Sequence, residues 1–88
     1  MAMSATYCFS VHADADPSAL PRVMEVFARL GHVPARCHVE RGATQRELVI
    51  DAQLEALRRS EAEHVARCLD RLVSVVQVLW SEKRRAAA

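Results

Sequence analysis

The chain has 88 residues, room for one core that buries roughly 60 to 65 per cent of the surface its unfolded chain exposes. With 12 basic against 11 acidic side chains and a formal charge of +1, it lacks the field that holds nucleic acid or an anionic membrane by electrostatics alone, so neither is an expected partner. No apolar run approaches the roughly 18 residues that span a bilayer, and the start Met1-Ala2-Met3-Ser4-Ala5-Thr6 lacks a basic region followed by an apolar one, which together predict a cytoplasmic protein.

Tyr7, Phe9 and Val11 alternate with Cys8, Ser10 and His12, the period-two pattern of a strand with one buried face. Asp14-Ala15-Asp16-Pro17-Ser18 is turn chemistry. After it Leu20, Val23, Phe27 and Leu30 recur at helical spacing, with Met24 and Val26 widening the stripe. Proline is tolerated only where its backbone N–H would go unpaired, so Pro21 fits position N3 with Ser18 as N-cap, the Ser18 hydroxyl capping Leu20. Gly31 closes the helix.

Val33, Ala35, Cys37 and Val39 alternate with Pro34, Arg36, His38 and Glu40, predicting a second strand, and Pro34 makes it an edge. Arg41 to Gln45 is a hairpin connection into a third strand, Glu47 to Gln53, with Leu48, Ile50 and Ala52 on one face. Ser60-Glu61-Ala62-Glu63 reads as a capping box opening a second helix, with His64 in its first turn and Val65, Cys68, Leu69 and Leu72 along one face. Val73 to Trp80 is the last strand.

The expected fold is therefore α+β, a ferredoxin-like βαββαβ sandwich: a four-stranded antiparallel sheet with strands one and three inside and two helices on one face. Residues 1–5 are expected as a disordered N-terminus, 6–81 as the folded domain and 82–88 as a flexible tail.

This fold hosts many functions, so sites must decide. Base stacking by an RNA-binding sheet needs aromatic side chains on strands one and three, and Glu47 to Gln53 has none. Cys8, Cys37 and Cys68 are too widely spaced for a disulfide framework or a paired-cysteine metal site and read as reduced apolar thiols; no metal or cofactor is expected. His12 and His38 fall on strands that are not neighbours, and Asp14 and Asp16 serve the turn, so no acid, base and nucleophile gather in one cleft and no catalytic residue is expected.

The sheet face away from the helices should carry Cys8, Ser10, Val49, Val75 and Leu79 among Arg36, His38, Glu47 and Gln77, a half-apolar surface that calls for a cover. Strand two offers unpaired backbone groups along Val33, Ala35, Cys37 and Val39, and pairing two such edges would make a homodimer with an eight-stranded sheet.

Pro17-Ser18-Ala19-Leu20-Pro21-Arg22-Val23, followed by Val26 to Val33, resembles the ACT-domain pattern of proline or serine, glycine, small, Leu, any, Arg, Val and a helix ending in Gly. More narrowly, Leu69-Asp70-Arg71-Leu72-Val73-Ser74-Val75-Val76-Gln77-Val78 is similar to the segment that closes the ACT domain in small subunits of acetolactate (acetohydroxyacid) synthase. The resemblance, over roughly Tyr7 to Ser81, implies a non-catalytic regulatory subunit, dimeric, that binds and activates a thiamine-diphosphate-dependent large subunit of branched-chain amino-acid synthesis. The cofactor would belong to that partner. The runner-up is a free-standing ACT domain sensing an amino acid or other small metabolite.

The resemblance also implies an effector site where Ala15, Asp16, Ser18, Ala19 and Leu20 face Val33 and Pro34 of the neighbouring copy. The family's loop asparagine and glycine are here Ala15 and Ser18, and Pro21 removes one N–H from the helix start, so free valine is expected to bind weakly or not at all.

Overall fold

A computed structural model of the chain describes residues 4–83. The elements run β1 (Ala5–Asp14), α1 (Ala19–Arg29), β2 (Arg36–Arg41), β3 (Glu47–Leu57), α2 (Arg59–Asp70) and β4 (Val75–Glu82). All strand pairs are antiparallel and the sheet order is β2-β3-β1-β4, the expected ferredoxin-like topology with β2 and β4 at the edges.

Alternation along β1 builds the core. Tyr7, Phe9, Val11 and Ala13 are buried toward the helices and meet Ile50, Ala52, Leu54 and Leu57 of β3. From above, α1 contributes Val23, Val26 and Phe27, and α2 contributes Ala62, Val65, Ala66 and Leu69. Trp80 packs alongside, its ring 6.4 Å from that of Phe9 and 6.0 Å from that of Tyr7. Truncating a fully buried Phe9 or Phe27 to alanine would cost about 3 to 5 kcal/mol, a large share of the stability of so small a core.

Ser18 is the N-cap of α1 and Pro21 stands at N3, as expected, but the Ser18 hydroxyl does not cap Leu20. Ser18 has helical backbone angles (φ −84°, ψ −9°), whereas a side-chain cap needs an extended N-cap residue. Its hydroxyl and its backbone N–H both donate instead to Asp16 Oδ1, at 2.9 and 2.8 Å, closing an Asx turn. The backbone bond and then the hydroxyl bond hold the Asp16 carboxyl below its ordinary pKa of 3.8. At the other end His32 N–H donates to Phe27 O (2.8 Å) and Gly31 N–H to Ala28 O (3.1 Å), a Schellman closure with Gly31 at φ +80°.

Several boundaries differ from the periodicity. β2 begins at Arg36, so Val33 and Ala35 lie outside the strand; Val33 is 88% exposed, and Pro34 has no N–H to give. Ala35 still donates its N–H to Gln53 O at 2.8 Å, touching β3 just before the regular ladder. β3 continues past Gln53 to Leu57, because a bulge opposite β1, with Ala56 at φ 60°, turns Leu57 inward out of alternation.

The N-cap of α2 is Arg58, two residues before Ser60, since Glu61 occupies N3 and its Oε1 accepts the Arg58 N–H at 2.9 Å. His64 accordingly falls in the second turn. Val73 is fully exposed in the turn before β4, and a second bulge pairs His12 with Gln77 but Ala13 with Val75. Val75 therefore packs against the core and is not on the open face, while Val76 turns out to 71% exposure.

Ala5 pairs with Leu57 and Glu82 with Tyr7, so the sheet extends slightly beyond both expected domain limits. Lys83 N–H donates to Thr6 O at 2.7 Å. The rest of the expected N-terminal and C-terminal segments, residues 1–3 and 84–88, lies outside the described residues.

Two outcomes follow from the ends of α1. A Cβ at position 31 meets nothing within 4 Å, so Gly31→Ala pays only for its left-handed backbone: urea unfolding should show a loss of about 1 kcal/mol at unchanged m-value. Because the Asp16 pKa is depressed on folding, the stability it adds is complete above pH 3.8 and drains away as pH falls through the lower folded value. Asp16→Asn, which cannot titrate, should flatten part of the acid limb of stability against pH, leaving the part due to Glu61, which is depressed in the same direction by its bonds to Arg58. Equal acid limbs in both proteins would refute this.

Candidate functional site

The loop between β1 and α1 and the free edge strand β2 enclose a cleft of about 250 Å³. Asp16, Pro17 and Leu20 form one wall, Val39, Arg41 and Leu48 the other, with Ala15 between them. Backbone bonds hold this geometry: Ala15 N–H donates to Arg46 O and Asp14 N–H to Ser74 O, both at 2.8 Å, which ties the loop to its two neighbouring turns. Arg41 stands at the mouth, its Nη1 donating to Gln45 O (2.7 Å) and Gln45 Oε1 (3.0 Å), so that Nε and Nη2 remain as donors. The cleft is thus an apolar slot with a carboxylate and a guanidinium at its rim.

Of the residues the sequence pointed to, Ala15, Asp16 and Leu20 are brought together here, and Ser18 adjoins them through its bonds to Asp16. Ala19 is fully buried and faces the core. Val33 and Pro34 precede the opposite end of β2, away from the loop of their own chain. Arg41 and Leu48 were missed as site residues, and Val39 was expected only at the dimer edge and not in the cleft. Their signal was available in the hairpin: β2 leaves the loop region through Arg41, and Leu48 re-enters directly opposite it.

Every residue of β2 is exposed, because the two helices cover β1 and β3 and stop short of this edge. Cys37 pairs with Ala52 and Val39 with Ile50, so both stand on the helix side of the sheet. Partial desolvation against the sheet, and then the nearby Asp51 carboxylate, push the Cys37 thiol up from its ordinary 9.0, which makes it a slow nucleophile near neutrality.

The opposite, open face is set by register. Arg36, Gln53, Cys8 and Ser81 form one row across the sheet, His38, Asp51, Ser10 and Leu79 the next, and Glu40, Val49, His12 and Gln77 a third. Leu79 is 51% exposed. His38 and His12 are separated by β3, as expected, and each finds its own carboxylate: His38 Nε2 lies 3.5 Å from Glu40 Oε2, and His12 Nδ1 lies 3.2 Å from Glu47 Oε1. His12 Nε2 is in turn 3.4 Å from Ser10 Oγ. No group of three or more His, Cys, Asp and Glu side chains placed to hold a metal occurs among the described residues, and none of their helices is long and apolar enough to cross a membrane.

A family profile for the ACT-like domain matches residues 2–87. Among solved structures, the chain is similar to the ACT domain from GTP pyrophosphokinase of Chlorobium tepidum, with TM-score 0.76 at 6% identity over 89% of this chain and 99% of that one. It is similar to the C-terminal domain of the MgtC protein from Mycobacterium tuberculosis, with TM-score 0.75 at 15% identity over 99% and 95% of the two chains. It also resembles part of a homoserine dehydrogenase from Thiobacillus denitrificans, with TM-score 0.76 at 12% identity, covering 92% of this chain but 18% of the larger one. These likenesses are of fold. No curated protein sequence matches significantly. With the profile spanning nearly the whole sequence, the chain belongs to the ACT-like domain family.

Proposed function

We propose that the chain is a regulatory module that works as a homodimer, takes no part in its enzyme partner's chemistry and transmits to that partner the state of the cleft between Leu20 and Val39. The observation that carries this reading is that the cleft is bounded by a free sheet edge. A slot walled by β2 changes shape whenever β2 gains or loses a partner strand, so binding in the slot and association at the edge are linked and each biases the other.

Antiparallel pairing of two β2 strands about a two-fold axis supplies the geometry. It runs the Arg41 end of one strand beside the partner's Val33 and Pro34, completing each cleft with the residues that one chain alone leaves apart. Association would also cover Val39, 37% exposed in the single chain, and the unpaired backbone of β2. The narrower reading, in which the partner is the large subunit of acetolactate synthase, is supported by the likeness of Leu69 to Val78. In the fold that segment forms the end of α2, the exposed Val73 turn and the start of β4.

Light scattering at micromolar concentration should give a dimeric mass, and a short bis-maleimide should join two chains through Cys37, faster as pH rises toward its elevated pKa and not at all in Cys37→Ser. A persistent monomer counts against the edge pairing. Adding the protein to its cognate large subunit should raise acetolactate production; if kcat and kcat/KM both stay unchanged at saturating protein, the subunit reading is wrong and a free-standing sensor takes its place.

Free valine, leucine and isoleucine should bind weakly in calorimetric titration. Ala15 offers no side-chain amide, Pro21 removes one N–H, and a lost hydrogen bond to a charged group costs about 1.5 to 3 kcal/mol, or roughly 10- to 150-fold in affinity. A low-micromolar constant for any of the three would overturn this, and gained binding in Ala15→Asn with Ser18→Gly would support it.

A further inference from the structure

From the hydrogen-bonded chain Ser10, His12 and Glu47 on the open sheet face, we propose that Ser10 is an activated nucleophile that takes an acyl group from small neutral esters. The order of atoms is that of a serine hydrolase relay: Ser10 Oγ lies 3.4 Å from His12 Nε2, and His12 Nδ1 lies 3.2 Å from Glu47 Oε1. An ionised Glu47 can only accept, so Nδ1 carries the ring proton and Nε2 presents a lone pair to the Ser10 hydroxyl. Distances near 3.3 Å are loose for finished proton transfer, as they commonly are before a substrate closes on the site.

Three independent features build this arrangement. β1 alternation puts Ser10 and His12 two residues apart on one face, and the register places Glu47 on the diagonal from His12, since Glu47 pairs with Asp14 and Val49 with His12. Gly42 then seats the carboxylate: a Cβ there would stand 2.5 to 2.7 Å from Glu47 Cγ, Cδ and Oε2. The relay also lies between two hollows. Ser10 opens into one of about 400 Å³, while His12 and Glu47 line another of about 310 Å³, leaving room for the acyl and alcohol halves of an ester on either side.

In the step itself, Ser10 Oγ attacks the ester carbonyl carbon as its proton passes to His12 Nε2. The carbon–oxygen bond to the alcohol breaks and the departing oxygen takes that proton. Water then cleaves the acyl-serine with His12 again as base, regenerating Ser10 and releasing the carboxylic acid. Arg36 and Gln53 line the larger hollow together with Ser10, and in the proposed step their N–H groups serve the developing negative oxygen. Asp51, directly opposite Ser10 in the register, opposes that charge, which limits the rate and selects against acidic acyl groups. Ser10 and His12 meet the reacting atoms, and Glu47 is a positioning residue.

The test uses the full chain with p-nitrophenyl acetate and, separately, a fluorophosphonate whose adduct is mapped by peptide mass spectrometry. The expected result is label on Ser10 and acetate release that vanishes in Ser10→Ala, with the circular dichroism spectrum unchanged. His12→Gln should slow labelling by about 100-fold or more, and Glu47→Gln and Gly42→Ala by about tenfold or more, with partial recovery in Glu47→Asp at equal thermal stability. Label confined to Cys8, Tyr7 or a lysine overturns the proposal, as does Ser10 labelling that His12→Gln leaves unaltered.

Discussion

The strand β1 is bonded on both sides along nearly its whole length, and its strict alternation decides what every other part of the molecule can do. One parity, Tyr7, Phe9, Val11 and Ala13, is fully committed to the core. The other, Cys8, Ser10 and His12, is thereby forced onto the face that has no helices. A one-residue slip would bury a histidine and a serine and expose two aromatic rings, a cost no surface interaction in the chain could offset. Registers of β3 and β4 are locked by the same requirement, and the two bulges are where it is enforced against the drift of the partner strands. At Ala56 a strained backbone turns Leu57 inward, and near Val76 the extra residue turns Val75 inward.

Most of the fold was legible because its signals are local and periodic. β1, α1 with its Ser18 start and Gly31 stop, and the order of six elements all follow from spacing that a single segment carries. The bulges were not legible, since each is a compromise between two strands and leaves no trace in either alone. That is why Val75 was placed on the wrong face and why β3 seemed to end at Gln53. The N-cap of α2 was missed for a related reason: Glu61 can serve a cap three residues upstream or stand in the first turn behind Ser60, and only the backbone path shows that it accepts from Arg58.

Of the cleft beside β2, the sequence revealed one wall and not the other. Ala15, Asp16 and Leu20 were identifiable because turn and helix-start chemistry is contiguous in the chain. Val39, Arg41 and Leu48 come from two strands across a hairpin, and only their pairing delivers them to the same slot. The relay of Ser10, His12 and Glu47 was hidden by the same kind of distance, since 35 residues separate His12 from Glu47. From the sequence, His12 was weighed against His38, on strands that are not neighbours, and Glu47, which the register of β1 against β3 brings to His12, was left out.

The two faces of the sheet therefore differ by physical necessity. On the helix side the cleft at Leu20 is walled by the exposed strand β2, so a ligand there would lie beside whatever pairs with that edge. The open side has no apolar layer to hide polar groups, and each of its two histidines has a carboxylate partner supplied by the sheet itself. An edge partner reaches both sides at once, because β2 carries Val39 and Arg41 toward the cleft and Arg36 toward the hollow beside Ser10. Under the proposed edge pairing, movement of β2 would shift Arg36 relative to Ser10 while reshaping the slot at Leu20, so that one event at the edge would reach both surfaces.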